Sequence, residues 1–521
     1  MNQNKALKKK ELNNNKQYLF LYLCLLSISL YTYSIILIQD INPDIWWMLT
    51  IGKNILSDGF STVDSLTMHE NMHCIAQQWL TDVIYYKIYD ILGFIGLNII
   101  IVLLGLIEFS LVFCITKKIT KSPGKTAFIS CLSLFYAIFI SPRPHMISVI
   151  LLTLTLYVYE SYFRGKNILY LLPIISLVLI NVHAAFWPVM FIFALPYLFE
   201  AFCGKYIVQF FDKKEKFKKY IKTFQYTSAS KLKLVIYTLS VFPVALVNPF
   251  GIEAVLYGFK STNNETISKI TQEMRSLFAI NIDFQNFSVR EMFAELIVPV
   301  FVLLVIVGVA ISKNKKISIR NVCLLIGLFF MSCISYKYVL LFIIGLPYFA
   351  RESVSENITL FKNENNFQKK IIVALCFAIF MTAFTGLTFY AQDFKILGQE
   401  EIDYIIKTDD RNDIKILCFN EGGYAEFNGL KSYMDTRMEV FIEKNNKKED
   451  LLAEAQQVLF SDADKKAYKD FFNKYDFDYI LADQGWRPGI IEHIESSGEW
   501  EKISESEDTG VKCTLYKNII N

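Results

Sequence analysis

The sequence predicts a mainly α-helical protein, a polytopic membrane helix bundle that carries a C-terminal α/β domain outside the membrane. Three observations predict this fold class. Hydrophobic residues make up 53% of the 521 residues and charged residues only 20%, with a mean hydropathy of +0.33. Basic residues cluster between apolar runs that are long enough to span a bilayer. The tail from Ala391 to Asn521 carries 17 Lys and Arg against 28 Asp and Glu, a composition typical of a soluble domain.

Six basic clusters are expected on the cytoplasmic side, because cytoplasmic loops are rich in Lys and Arg. They are the N-terminal lysines and the segments 117–125, 164–166, 205–233, 313–320 and 351–370. An even number of spans must separate neighbouring clusters, which gives about eleven transmembrane helices, the last at 371–390. We therefore predict a transmembrane domain over 1–390, with outer loops at 39–90 and 248–290, and an extracytoplasmic domain over 391–521.

Three of the intervals, 126–163, 168–202 and 321–350, are too short for two full spans at about 1.5 Å per residue. We predict tight hairpins whose turns lie within the outer leaflet. These turns carry Arg143, His145, Asn181, His183 and Lys337. Polar groups at that depth are unfavourable unless they face a protein cavity, so we expect a mostly cationic cavity. The alternative is that each side chain extends separately to the membrane surface.

The first outer loop begins with Asn42-Pro43-Asp44-Ile45-Trp46-Trp47, directly after the first apolar run. Asp44 is therefore expected at the membrane surface, where a carboxylate can act as a general base or bind a divalent cation. Tryptophan prefers the membrane–water interface. The alternative is that the tryptophans are only an interfacial anchor and that Asp44 caps a helix.

Other outer segments leave alternatives open. Segment 81–92 predicts an amphipathic helix on the membrane. His69 and His73 have a spacing that can bind a metal on a helix, although a solvated loop is the alternative. The loop that follows Asn248-Pro249-Phe250-Gly251 is polar and is either a lid over a substrate or a plain connector.

The tail predicts a small α/β domain. Strands are expected at 414–419, 432–434, 477–482 and 512–516, with a helix over 448–474 and a tight turn at 420–424. Cys418 and Cys513 fall on predicted strands, either as a disulfide or as two buried thiols. No Cys-x-x-Cys occurs in the chain, which excludes the common zinc and dithiol redox motifs.

Taken together, the motifs resemble those of bacterial multipass proteins of the GT-C superfamily of membrane glycosyltransferases, which includes the mannosyltransferases and the oligosaccharyltransferase catalytic subunit. The motifs are Asp44-Ile45-Trp46-Trp47, Gln78-Trp79-Leu80, Arg143-Pro144, Asn181-x-His183, Asn248-Pro249-Phe250-Gly251, Gly422-Gly423-Tyr424 and Asp435-x-Arg437. Segment 419–424 is also similar in placement to the acceptor motif of oligosaccharyltransferase, and 271–273 to the glutamate motif of its mobile loop.

This resemblance implies transfer of a sugar from a polyprenyl phosphate or diphosphate to an extracytoplasmic glycan, lipid or protein. Asp44 would be the catalytic base or, with Glu273, a ligand of Mg²⁺ or Mn²⁺. The donor phosphate would be bound by five cationic side chains, Arg143, His145, His183, Arg275 and Lys337. Substrate or acceptor would contact Trp46, Trp47, Gln78, Trp79, Asn181, Glu421 and Tyr424.

Three departures from the pattern stand out. Gln78 replaces a usual Glu, Lys337 replaces a usual Arg, and the first loop has no clear second carboxylate beside Asp44.

Two other functions compete with glycosyl transfer. A flippase for lipid-linked glycans would also need a cavity, but alternating access calls for polar groups at mid-membrane and an internal repeat, and the sequence indicates neither. A non-catalytic assembly protein would use the acidic domain to bind a partner.

Overall fold

The structure is a computed structural model of the chain. It describes residues 2–39, 42–212, 223–260, 276, 299–307, 316–353, 398–483, 485–508 and 511–520. The first part is helical. Its helices are α1 (Asn2–Gln39), α2 (Asp44–Asp58), α3 (Trp79–Thr120), α4 (Pro123–Ser133), α5 (His145–Phe163), α6 (Leu171–Val182), α7 (Val189–Asp212), α8 (Lys231–Leu239), α9 (Val241–Ala245), α10 (Ile252–Lys260), α11 (Ile319–Ile334) and α12 (Val339–Ser353). Two short strands, β1 (Thr223–Gln225) and β2 (Lys316–Ser318), pair in parallel.

Several of these helices are long and apolar enough to cross a membrane. Within the described residues they are Trp79–Thr120, His145–Phe163 and Ala184–Phe211. Shorter apolar helices occur at Leu171–Val182, Ile319–Ile334 and Tyr336–Phe349. The predicted class, a mainly helical membrane bundle, is confirmed. The count of eleven spans stays a prediction, because the last of them, 371–390, lies outside the described residues.

The chain turns between helices at the three predicted positions, while the depth of these turns in the membrane stays a prediction. Helix α4 and a 3-10 turn (Leu134–Phe139) lead into the first outer turn, and α5 returns from it. Helix α6 ends at the second turn, at His183, and a 3-10 turn (Ala184–Phe186) leads into α7. The third turn is the 3-10 segment Tyr336–Tyr338, between α11 and α12. Short 3-10 turns reverse the chain in few residues, which suits spans that are themselves short.

Helix α2 and the first part of α3 pack closely at one end of the bundle. Helix α3 bends at Gly93, whose φ of 61° lies in the left-handed region that favours glycine. Its first part therefore matches the helix predicted over 81–92. Helix α2 crosses it at Gly52, where a Cβ would lie 2.3 Å from the carbonyl oxygen of Asp82. Glycine is required at this crossing because only a bare backbone fits there.

The C-terminal domain has a five-stranded sheet. Its strands are β3 (Lys415–Leu417), β4 (Lys431–Ser432), β5 (Tyr479–Asp483), β6 (Trp500–Asp508) and β7 (Val511–Asn518). The strand order is β4-β3-β5-β7-β6, in which β4, β3 and β5 run parallel, and β5, β7 and β6 pair antiparallel. Its helices are α13 (Gln399–Thr408), α14 (Gly422–Phe427), α15 (Glu443–Asn446), α16 (Leu451–Val458), α17 (Lys465–Lys474) and α18 (Pro488–Ser497). The domain boundary predicted at 390 falls outside the described residues.

Three details of this domain differ from the sequence prediction. The expected tight turn at 420–424 opens the helix α14, and β6 was not predicted. The helix expected over 448–474 is two helices, because Asp450 and Asp464 each cap a new helix by accepting a hydrogen bond from the backbone of Ala453 and Ala467. Cys418 and Cys513 are buried free thiols, so the disulfide alternative is wrong.

The domain docks directly on α2. The ring of Trp46 packs edge-on against Tyr424 at 4.8 Å between centroids and lies 5.0 Å from Phe427. Gly423 sits so close to α2 that a Cβ there would lie 3.3 Å from the backbone nitrogen of Trp47. One hydrophobic core runs from the membrane helices through α2 into the sheet. The junction between membrane bundle and domain is therefore a packed interface.

Candidate functional site

The junction brings Asp44 together with Arg143 and Thr436. Asp44 is the first residue of α2, and its Oδ2 lies 2.6 Å from Nη2 of Arg143, which lies in the first outer turn. The hydroxyl of Thr436, from the C-terminal domain, donates to Oδ1 of Asp44 at 2.5 Å. The side chains of Arg143 and Asp44 are 25% and 17% exposed. Three distant parts of the chain thus meet at an ion pair that solvent and a ligand can reach.

The buried side chain of Arg437 holds the segment that carries Thr436. Arg437 binds Asp435 through Nε at 2.8 Å and Asp64 through Nη1 at 2.8 Å. Burial alone would raise the pKa of Asp64, but Arg437 and two hydrogen bonds from Thr67 outweigh it and hold that pKa below its ordinary value. This network joins the first outer loop to the C-terminal domain and fixes the position of Thr436.

The three hairpin turns converge beside this pair. Nδ1 of His183 lies 2.9 Å from Oγ of Ser148 on α5, and Arg143, His145 and Lys337 all act electrostatically on the His183 ring. The Phe139 ring packs on Tyr336 with 5.8 Å between centroids, which joins the first and third turns. The turns therefore bring most of the predicted cations together; the cavity itself stays a prediction.

Individual polar atoms of these cations are already engaged within the protein. Nε2 of His145 donates to the carbonyl oxygen of Phe139 at 2.6 Å. The ammonium group of Lys337 lies 5.3 Å from the ring centre of Tyr338. His183 is buried and stacks on Phe186. Arg143 is the predicted cation with the clearest place at the junction, because it is the one that pairs with Asp44.

The structure places Gln78, Trp79 and Asn181 in contacts within the protein, and their contacts with substrate stay predictions. Gln78 is buried and donates to Asp82 at 3.0 Å. Nε1 of Trp79 donates to Oδ1 of Asn181 at 2.9 Å, and the amide of Asn181 donates to the carbonyl oxygen of Val247 at 3.0 Å. These side chains bind the start of α3 to the second turn, because buried polar atoms need partners.

The tryptophans were predicted to lie against sugar or lipid. The structure places both against protein, and contact with substrate stays a prediction. Trp46 and Trp47 are 5% and 9% exposed, because the C-terminal domain covers them. Nε1 of Trp47 donates to Thr436 at 3.1 Å, and the Arg437 guanidinium lies 5.9 Å from its ring centre. Trp47 therefore helps to orient the threonine that binds Asp44.

Glu421 and Tyr424, predicted to contact the acceptor, lie inside the domain. Glu421 is 2% exposed, and burial, with a smaller effect of Asp483, raises its pKa to about 8. The hydroxyl of Tyr424 donates to Asp403 at 2.8 Å. The start of helix α14 turns both residues into the fold, and their contact with the acceptor stays a prediction.

The described residues contain no group of three His, Cys, Asp or Glu side chains that could hold a metal ion. Nε2 of His69 contacts the carbonyl oxygen of Tyr433 at 2.8 Å, and Nε2 of His73 lies 3.3 Å from Glu253. The metal-binding alternative for this histidine pair is therefore wrong. Glu273 and Arg275 lie outside the described residues, so their roles stay predictions.

Sequence reasoning missed Thr436, Glu439 and Tyr257. Glu439 is half-buried in the 3-10 turn after Arg437, and its Oε1 accepts a hydrogen bond from Tyr257 at 2.8 Å. Asp44 is close enough to act on it electrostatically. The Asp435-x-Arg437 motif marked this segment, but no sequence signal places it beside Asp44.

No protein-family model matches the sequence, and no curated protein matches it. Among solved structures, the fold is similar to that of ArnT from Cupriavidus metallidurans, determined in a form bound to undecaprenyl phosphate. The TM-score is 0.50 at 10% sequence identity, and the match covers 96% of this chain and 98% of ArnT. The chain therefore shares the overall fold of ArnT, which supports the GT-C-like fold that its motifs predict.

Proposed function

We propose that the protein is a membrane glycosyltransferase that moves a sugar from a polyprenyl-phosphate-type carrier to an acceptor on the extracytoplasmic side. The observation that carries the proposal is the accessible pair of Asp44 and Arg143 at the junction of bundle and domain. The structural similarity to ArnT, which binds undecaprenyl phosphate, supports the choice of carrier. The sugar and the acceptor, whether glycan, lipid or protein, are not specified by the site.

Arg143 is the proposed ligand of the donor phosphate. Guanidinium groups suit phosphate because several N–H donors lie in one plane. His145, His183 and Lys337 add positive charge around the same turns. In the reaction, the bond from the anomeric carbon to the phosphate oxygen breaks and its electron pair stays on the phosphate. Fixed positive charge at that position stabilises the leaving group in the transition state.

A divalent cation such as Mg²⁺ or Mn²⁺ at Asp44 and Glu273 is a separate part of the proposal. Both Asp44 oxygens already accept hydrogen bonds from Arg143 and Thr436. Such an engaged carboxylate fits a metal poorly. The described residues therefore favour phosphate binding by arginine, and assays with and without EDTA will decide the contribution of a metal.

One observation favours the transporter alternative. Glu108 lies in the long span of α3, is 3% exposed, and accepts a hydrogen bond from Thr153 at 2.7 Å. Ionisable groups within apolar spans are often functional. Transport would predict movement of the intact lipid-linked sugar across the membrane without release of its sugar.

The test uses a strain that lacks the protein. Its lipid extract should accumulate polyprenyl-linked sugar, detected by mass spectrometry. Purified wild-type protein in liposomes with this extract and the cell's acceptor fraction should release free polyprenyl phosphate, and Asp44→Asn should slow the release about 100-fold or more. Asp58→Asn, an exposed change in the same helix, is the matched control. Full activity of Asp44→Asn, or flipping of the extract without release, would contradict the proposal.

A further inference from the structure

We propose that Glu439, from the C-terminal domain, accepts the proton of the attacking acceptor hydroxyl, and that Asp44 positions Arg143 instead of acting as the base. This inference rests on the proposed glycosyl transfer. It corrects the sequence-based assignment of the base, and it supplies the second carboxylate that the first outer loop lacks.

Asp44 is occupied on both oxygens. Nη2 of Arg143 lies 2.6 Å from Oδ2, and the Thr436 hydroxyl donates to Oδ1 at 2.5 Å. To take a proton from a substrate, Asp44 would have to share or break one of these bonds. A carboxylate held in this way is suited to orienting a guanidinium, as carboxylates that support catalytic groups do in other enzymes.

Glu439 is placed three residues after Thr436, so the same turn that engages Asp44 also delivers a second carboxylate. Tyr257, from α10, donates to one oxygen of Glu439 at 2.8 Å, and the side chain of Asn445 donates to the Glu439 carbonyl oxygen at 2.7 Å. These contacts fix the turn from two sides. Among the described residues, the side-chain hydrogen bond seen on this carboxylate is the one from Tyr257.

The charged and titratable neighbours of Glu439 give it basic character. They are Tyr257 on α10, Asp44 on α2, Arg437 on the preceding loop and Cys74 on the first outer loop. Burial raises the pKa of Glu439 above its ordinary value, and the charge of Asp44 adds to the effect, while Tyr257 and Arg437 oppose it. A carboxylate with a raised pKa is a stronger general base near neutral pH.

The proposed step balances in atoms and charge. The acceptor oxygen forms a bond to the anomeric carbon while its O–H bond breaks, and the proton passes to Glu439. The bond between the anomeric carbon and the phosphate oxygen breaks, and the electron pair leaves with the polyprenyl phosphate, beside Arg143. No oxidant, reductant or further reactant is needed.

The test compares Glu439→Gln with Tyr257→Phe in the release assay on the lipid extract. Glutamine still accepts the hydrogen bond from Tyr257 but cannot take a proton, so the rate should fall about 100-fold or more with little change in KM. In the wild type, the rate should fall on the acid side as Glu439 becomes protonated. Glu439→Gln should lack this acid limb. Tyr257→Phe removes a bond that lowers the pKa of Glu439, so the limb should move to higher pH.

Two controls separate this role from a structural one. Glu443→Gln changes an exposed glutamate one turn further on and should leave the rate and pH profile unaltered. Binding of undecaprenyl phosphate, measured by native mass spectrometry, should be retained in Glu439→Gln. Near wild-type rate with an intact acid limb in Glu439→Gln, or loss of undecaprenyl phosphate binding in that variant, would overturn the inference. Absence of release by the wild type would instead overturn the proposed function.

Discussion

Two arginine–carboxylate clusters stand at opposite ends of α5 and differ in almost every respect. At the outer end, Arg143 pairs with Asp44, and both side chains are partly exposed. Near the other end, Arg320 pairs with Glu160 at 2.8 Å and with Glu200 at 2.7 Å. The exposed fractions there are 3%, 3% and 0%. With about 1.5 Å of rise per residue, the 15 residues from His145 to Glu160 separate the clusters by roughly 22 Å.

The difference indicates that the inner cluster stabilises the fold and that, on the proposed function, the outer cluster binds a ligand. In the inner cluster, Glu160 accepts a hydrogen bond from Arg164, and Glu200 accepts from the guanidinium and the backbone nitrogen of Arg320. It joins α5, α7 and α11 beside the strand pair β1–β2. The outer cluster is open on one side and is completed by a distant domain. A charged group left accessible at a packed junction is the more favourable place for a charged substrate.

The largest expected effect is on the inner cluster. Arg320→Ala leaves Glu160 and Glu200 buried without their main counter-charge, which typically destabilises a protein by about 3–5 kcal/mol. We expect a large drop in melting temperature in detergent. Lys512→Ala, which removes a surface pair with Glu505 whose side chains are 58% and 39% exposed, is the control and should change stability by about 1 kcal/mol or less. Equal melting temperatures for both variants would show that the inner cluster does not stabilise the fold.

The next effect is on activity. Arg143→Ala should lower the release rate about 100-fold, which corresponds to about 2.7 kcal/mol of transition-state stabilisation. Its stability should change little, because the pair it breaks is partly solvated. Arg143→Lys should recover part of the rate, since the charge remains but the planar donors are lost. If Arg143→Ala were as destabilising as Arg320→Ala, the two clusters would not differ as described.

A smaller effect is expected at Gly422, which holds the loop behind the outer cluster. A Cβ there would lie 2.0 Å from the carbonyl oxygen of Met434, so Gly422→Ala must displace the loop that carries Thr436. Overpacking of this kind typically costs about 1–3 kcal/mol, and the release rate should fall with it. Gly327→Ala, where a Cβ meets open space, is the control. A fully active, fully stable Gly422→Ala protein would show that the loop position is unimportant.

The smallest effect concerns pH. Arg437 and Thr67 hold the pKa of Asp64 below its ordinary value of 3.8, so the charged form stabilises the folded protein. This contribution is present above pH 3.8 and is lost as the pH falls through the lower folded value. The melting temperature should therefore decrease on acidification below about pH 3.8, and less steeply in Asp64→Asn. Identical acid profiles in both proteins would exclude the contribution of Asp64.

The sequence predicted the parts of the fold that depend on local properties. The length of a span, a basic cluster and a proline are each read from a short stretch of about twenty residues. From them the sequence predicts all three hairpin turns, and it predicts that Arg143, His183 and Lys337 lie at the same end of the helix bundle. The sequence could not predict which partners close the site. Thr436 and Asp44 are 392 positions apart, and no local pattern reports a contact over that distance.

The same physical reason explains why other predicted residues lie inside the protein. The two tryptophans of α2 were expected at an interface with lipid, but whether a tryptophan meets lipid or protein depends on what docks there, here α14. Glu421 was expected to contact the acceptor because its segment is similar to the acceptor motif of oligosaccharyltransferase. The two glycines instead allow the helix to pack closely on the loop after β4 and on α2, and this close packing buries the carboxylate.

The hydrogen bond from Thr436 to Asp44 also has a consequence for the life of the protein in the cell. Ribosomes make the chain from its N-terminus, so the helices of the bundle are synthesised before Thr436 and Glu439. On the proposed function, the site is therefore complete only after the C-terminal domain has folded and docked on α2.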